Sequence, residues 1–256
     1  MRRLQAVPCI SLLILCALCG AAAPAWGASC VILLHGMGRT SHSMHAMAEH
    51  LGANGFQVIN ADYPSTEGTV NELASTTIPA ATGKCADDAD AIHFVTHSLG
   101  GILVRAYYQD RPGPPGSRVV MLGPPNQGSE VAQKLRDWGP YQWVMGPAGQ
   151  ALGTTADSIP LQLKPIPLAI GVIAGTRSFN PLFSHWLAGP DDGKVSTERA
   201  KLAEMKDFIT VNSTHVYIMR DQRVLEQTTH FLLHERFDHN EDQTRKKTVH
   251  SRDEAR

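Results

Sequence analysis

Residues 91–101 read Ala91-Ile92-His93-Phe94-Val95-Thr96-His97-Ser98-Leu99-Gly100-Gly101, and the other segments of the chain are interpreted relative to them. The short apolar run from Ile92 to Val95 has the character of a buried parallel strand. It stops at Thr96, and a helix-like stretch follows Gly101 with Ile102, Leu103, Val104, Ala106 and Tyr107. A strand that turns sharply into a helix lifts the residue at the turn, Ser98, out at the strand tip. Strand and helix pass close together there, so the residues flanking the serine must be small. Gly100 supplies that room. Thr96 stands where such turns usually carry a glycine, and a tighter fit is expected there rather than a broken turn.

Working outward, the 256 residues suffice for one sizeable core and are few for two domains. Hydrophobic residues make up 43% and charged residues 18%, ordinary for a globular chain. A net charge of −1 gives no electrostatic reason to expect nucleic acid as a partner. The first 27 residues stand apart. Arg2 and Arg3 precede an apolar stretch from Ile10 to Leu18, followed by small residues up to Ala28. That is the layout of a secretory signal, with Ala25 and Gly27 suited to cleavage. The apolar run is short for a membrane span, although an uncleaved tether is the competing reading. An exported chain, periplasmic or secreted, is expected. Cys9, Cys16 and Cys19 would leave with the signal. Cys30 and Cys85 remain, one opening a strand and the other just upstream of the Ile92 strand, and a Cys30–Cys85 disulfide is expected between them.

Further apolar runs lie at Cys30–Leu34, Phe56–Asn60, Arg118–Leu122, Pro167–Gly175 and Phe208–Val211. Helical stretches fall between them: from about Thr40 to Leu51, over 69–90 with breaks near Pro79 and Gly83, and over 221–237. Residues 130–160 carry no strand signal and hold Trp138, Tyr141, Trp143 and Met145, which suits a small helical cap. From Asp238 onward charge is dense and apolar periodicity is absent, so 238–256 reads as a disordered tail. Strand and helix in alternation imply an α/β fold, a mostly parallel sheet flanked by helices and spanning 28–237. Ligands of such sheets bind beyond the carboxyl ends of the strands, where the unusual polar turns of this chain fall.

A serine hydroxyl needs a base within hydrogen-bond reach to become a nucleophile, and the base needs an orienting acid. Thr96–Gly100 matches the G-x-S-x-G turn with one departure, and its acid and base follow in the order Ser, Asp or Glu, His. The base is assigned to His215, immediately after the last strand. His230 and His234 lie within the final helix, and His239 and His250 lie in the tail. The acid falls in Gly189-Pro190-Asp191-Asp192-Gly193, where Asp192 is preferred and Asp191 is the alternative. The developing oxyanion needs backbone donors. Leu99 N–H supplies one, and Met37 N–H, in His35-Gly36-Met37-Gly38 after the first strand, supplies the other. His35 is read as structural, holding the oxyanion loop by hydrogen bonds, and His97 as packing rather than reacting.

The set Leu34–Gly38, Thr96–Gly101 and Asp192-Gly193-Lys194-Val195 resembles the α/β-hydrolase superfamily, in particular bacterial lipases and esterases whose oxyanion loop begins His-Gly. The resemblance covers roughly residues 30–237. It implies ester hydrolysis through an acyl-enzyme, carried by Ser98, Asp192 and His215. It also implies a minimal version that begins at the third strand of larger members. No cofactor is expected. His42, His45 and His50 lack the carboxylates or cysteines that would make a metal set. The aromatic and methionine side chains of 130–160, with Phe179, Phe183 and Trp186, point to a hydrophobic or lipid-like ester as substrate, with peripheral lipid contact. An acyltransferase using the same triad and a non-catalytic binding member of the fold are the alternatives. Ser98 as a plain helix N-cap accounts for the serine but not for Gly100-Gly101 or the upstream His-Gly loop.

Overall fold

The computed structural model describes residues 29–240. The expected signal segment, and the tail from residue 241, lie outside the described residues. The strands are β1 (Cys30–Leu34), β2 (Gln57–Ala61), β3 (Ile92–His97), β4 (Arg118–Leu122), β5 (Ala169–Gly175) and β6 (Asp207–Val211). The helices are α1 (His45–Ala53), α2 (Val70–Thr82), α3 (Leu99–Tyr108), α4 (Glu130–Leu135), α5 (Gly139–Gln150), α6 (Ile159–Gln162), α7 (Pro181–Trp186), α8 (Thr197–Ala200) and α9 (Gln222–His234). The strands form one sheet in the order β2-β1-β3-β4-β5-β6, with every pairing parallel.

Both faces of the sheet are covered, which is why the strands are continuous apolar runs rather than alternating ones. Ile32, Leu34, Phe94, Val119, Met121 and Val172 face α2, α3 and the cap. Val31, Leu33, Val95, Val120, Leu122 and Ile173 face α1 and α9. The chain reverses direction between β1 and β3, so the loops after these two strands stand side by side at the carboxyl edge. Such a switch point leaves a crevice between neighbouring loops.

Cys30 and Cys85 are joined, with Cα atoms 5.7 Å apart. The bridge lies at the amino edge of the sheet, because Cys30 is the first residue of β1, and it ties the segment after α2 to the start of that strand.

Two local expectations change. Pro79 does not break its helix: α2 runs unbroken from Val70 to Thr82. The carbonyl that Pro79 leaves unbonded belongs to Ser75, and both residues are exposed, so water can satisfy it. Leu73, Ala74, Thr77, Ile78 and Ala81 meanwhile hold the buried face on the core. The final helix ends at His234 rather than 237, closed by Glu235 in the left-handed region at φ 61°. Phe237 then folds back, fully buried, onto Phe231 with ring centroids 4.9 Å apart. Beyond it, Asp238 N–H donates to Gln227 Oε1 and His239 Nε2 lies 2.9 Å from Asp207 Oδ2. Residues 130–160 are helical, as α4, α5 and α6. The cap is pinned to the sheet layer by Arg105, a buried arginine of α3 that donates to the carbonyls of Asn126, Pro160 and Leu163.

Candidate active site

The turn at Ser98 follows from steric demands on both sides. Ser98 has φ 51° and ψ −117°, a backbone state that L-residues rarely adopt, and its amide donates to Leu122 O at 2.9 Å. A side chain at Gly100 would place its Cβ 2.8 Å from Leu34 O, so only glycine lets α3 pass β1 here. Thr96 fits in the first-glycine position because it is a strand residue with its hydroxyl turned onto β4, 3.5 Å from Val120 O. The serine is 8% exposed and lines a cavity at the carboxyl edge.

His215 follows β6 and lines the same cavity. Its Nδ1 lies 2.7 Å from Asp192 Oδ2, and its amide donates to the Asp192 carbonyl at 2.9 Å. The other carboxylate oxygen, Asp192 Oδ1, accepts from Lys194 N–H and Val195 N–H at 2.9 and 2.8 Å. The imidazole therefore pairs with Asp192 and not with Asp191. Asp191 Oδ1 is occupied within the turn, accepting from Gly193 N–H at 2.7 Å and Ser184 Oγ–H at 3.0 Å. With Nδ1 held by the carboxylate, His215 Nε2 is the nitrogen left for the cavity. Among the described residues neither it nor the Ser98 hydroxyl has a hydrogen-bond partner. Catalytic hydrogen bonds of this kind tighten around substrate.

The loop after β1 is held rigidly. Tyr63 stacks on His35 with centroids 4.2 Å apart, and its hydroxyl donates to His35 O at 2.6 Å. His35 Nδ1–H donates to Gly36 O at 2.9 Å, and burial pushes the imidazole below its ordinary pKa, which keeps it neutral. Gly38 N–H donates to Ser65 Oγ at 3.0 Å. Among the described residues the amides of Met37 and Leu99 have no hydrogen-bond partner. Met37 lines the cavity beside Ser98, and Leu99 opens α3 directly after it. Unbonded backbone amides of this kind are the donors that a developing oxyanion needs.

Two contributions were not visible in the sequence. His97 does pack, 4.8 Å centroid to centroid from His215, but its Nε2–H also donates to His215 O at 2.9 Å and fastens the backbone there. Burial, then the neighbouring His215 and, less, the charges of Arg39 and Lys194, hold His97 well below the ordinary histidine range, so it stays a neutral donor. Gly123, after β4 at φ 54°, lies under the His–Asp pair: a Cβ there would come 2.8 Å from Asp192 Oδ2 and 3.2 Å from His215 Nδ1. The Gly123-Pro124-Pro125 turn was the only sequence signal for it.

The cavity measures about 380 Å³, within the range of small-molecule sites. On the cap side it is apolar, with Leu135, Trp138, Tyr141, Val144 and Met145. Arg39 and Lys194 also line it. Among the described residues, no group of three or more His, Cys, Asp or Glu side chains could hold a metal ion.

A family model described as the alpha/beta hydrolase family matches residues 31–247. No curated protein matches the chain in sequence. Among solved structures, the mature lipase BlEst2 of Bacillus licheniformis is similar at 19% identity, with a TM-score of 0.64 over 82% of this chain and 94% of that one. A metagenomic carboxyl esterase is similar at 16% identity and a TM-score of 0.58, over 75% of this chain and 66% of that one. The phospholipase PlaB of Legionella pneumophila is similar at 19% identity and a TM-score of 0.53, over 68% of this chain and 45% of its own. At these identities the likeness is one of fold.

Proposed function

This chain belongs to the alpha/beta hydrolase family, and on that premise we propose that it is an exported serine hydrolase that cleaves carboxylic esters, with Ser98, His215 and Asp192 as its triad. The single observation that carries the reading is the 2.7 Å pair between His215 Nδ1 and Asp192 Oδ2, which leaves Nε2 on the cavity that Ser98 lines.

In the reaction Ser98 Oγ attacks the ester carbonyl carbon while its proton passes to His215 Nε2. The carbonyl π electrons move onto oxygen, where Met37 N–H and Leu99 N–H receive the charge. Collapse breaks the bond to the alcohol, which leaves with the proton from Nε2. Water then repeats the sequence on the acyl-serine, its proton going to His215 and back to Ser98, and the carboxylic acid is released. Asp192 holds the imidazole in the tautomer that accepts at Nε2 and stabilises the imidazolium without taking its proton.

The apolar cap side of the cavity supports a hydrophobic acyl chain. Trp143, 88% exposed, adjoins the cavity residue Val144, and Phe179 and Leu182 are exposed beside Phe183. These side chains suit contact with a lipid aggregate at the cavity mouth. Export is supported by the Cys30–Cys85 bridge, which persists in oxidising compartments, and by the layout of the first 27 residues. No helix among the described residues is long and apolar enough to cross a membrane.

The test is a series of p-nitrophenyl esters of rising chain length, run on wild type and Ser98→Ala with and without a short alcohol as acceptor. Hydrolysis that rises with chain length and vanishes in the variant is expected. A dominant ester product in the presence of the alcohol would instead indicate an acyltransferase, and no turnover of any ester would favour a binding module.

A further inference from the structure

Two cations, Arg39 and Lys194, line the same cavity as Ser98. Arg39 comes from the loop after β1, two residues past Met37. Lys194 comes from the loop after β5, two residues past Asp192. Neither side chain has a hydrogen bond or ion pair among the described residues. The anion nearest to Lys194, Asp192, is already spent on His215 and on the amides of Lys194 and Val195. Lys194 is partly buried, and both desolvation and the charge of Arg39 push its ammonium below the ordinary lysine range. Two like charges partly withdrawn from water on one cavity, with no carboxylate among the lining residues, are an unfavourable arrangement. An anion placed between them would relieve both the repulsion and the unpaired donors.

We propose that the substrate is an ester whose alcohol portion carries an anionic group, of the phosphate kind, which Arg39 and Lys194 bind as a pair while the acyl chain occupies the apolar cap side. We place the charge on the alcohol because the cap residues that line the cavity, among them Leu135, Trp138, Tyr141, Val144 and Met145, include no cation. The cations instead belong to the two loops that carry Met37 and Asp192, which assigns the charged end of the ester to them and the acyl chain to the cap. A glycerol phosphate monoacyl ester has this chemistry. The inference rests on the hydrolase reading for the orientation of the ester, but the charge preference can be measured without turnover.

The experiment uses calorimetric titration of Ser98→Ala with 1-hexanoylglycerol 3-phosphate and with 1-hexanoylglycerol, which differ only by the phosphate. At least tenfold tighter binding of the phosphate ester is expected, weakening as salt is raised. The preference should fall to near unity when Lys194→Met and Arg39→Gln are added, and survive Lys194→Arg. Glycerol 3-phosphate alone should bind at least tenfold more weakly than its hexanoyl ester. Equal affinity for the two esters would overturn the proposal, as would a preference untouched by the two substitutions. Glycerol 3-phosphate binding as tightly as its ester would also overturn it, by showing a free-anion site. Turnover of the same pair by the Ser98 protein is read separately. A retained phosphate preference with no hydrolysis of either ester would contradict the reaction proposed above and leave the anion site standing.

Discussion

At the scale of single residues, the site depends on side chains whose surroundings leave each one task. Asp192 is 3% exposed and accepts three hydrogen bonds, two of them from its own loop, so the imidazole sits on a fixed carboxylate. Asp192→Asn should therefore lower kcat by roughly 10³–10⁴-fold, and His215→Ala at least as much, with circular dichroism unchanged. Asp191→Asn should cost turnover far less, since its Oδ1 only closes the turn through Gly193 N–H and Ser184 Oγ–H. A larger loss in the Asp191 variant would reassign the acid. Gly123→Ala should lower kcat about a hundredfold or more, because its methyl would press on both members of the His–Asp pair. Steady-state kinetics on the folded variant checks this. Ser98, His215 and the Asp191-Asp192 choice were legible from spacing along the chain. The sequence preferred Asp192 and kept Asp191 as the alternative, because adjacent aspartates in one turn have similar sequence character and differ in which amides each oxygen meets. The bond from His97 to His215 O was hidden, since it spans 118 positions.

At the scale of elements, β3 and β4 carry a pH-sensitive contact. His93 is 4% exposed, and its Nδ1 accepts from Arg118 N–H at 3.1 Å, which requires the neutral ring. Burial, reinforced by the Arg118 charge, pushes its pKa down to about 4. The unfolded chain takes up this proton near 6.5, so between those values it binds more protons than the folded chain, and stability falls as pH drops. Between pH 7.5 and 5 the loss from this group alone is about 2 kcal/mol. The melting temperature should fall across that window in wild type and fall less in His93→Gln. Equal slopes would remove His93 as the cause. The Cys30–Cys85 bridge closes a span of 55 residues, and reduction or Cys85→Ser should cost ~2–4 kcal/mol, read as a lower melting temperature. The inner strands β1, β3, β4 and β5 were legible because they are buried on both faces and therefore mostly apolar, whereas the edge strands β2 and β6 are only half-buried. The helices were less so. Pro79 resembles a breaker, but its missing bond falls on the exposed side of α2. The cap helix α5 bends at Gly146, φ 61°, where a side chain would strike Thr66 O, a contact that local sequence does not contain.

At the scale of the whole molecule, a parallel sheet with a switch point between β1 and β3 gathers loops from distant parts of the chain around one cavity, and the cap supplies its apolar side. The fold class was readable because alternating strands and helices admit few arrangements. The unpaired charges of Arg39 and Lys194 were not, since nothing in the sequence brings the two loops to one cavity. The most direct measurement is peptide mapping by mass spectrometry after treatment with a fluorophosphonate, which forms a covalent adduct only with a serine activated as a nucleophile. We expect one adduct, on the peptide bearing Ser98, that is lost in His215→Ala. An unlabelled wild-type protein, or an adduct on a different serine, would contradict the assignment of Ser98 as the group that attacks the ester.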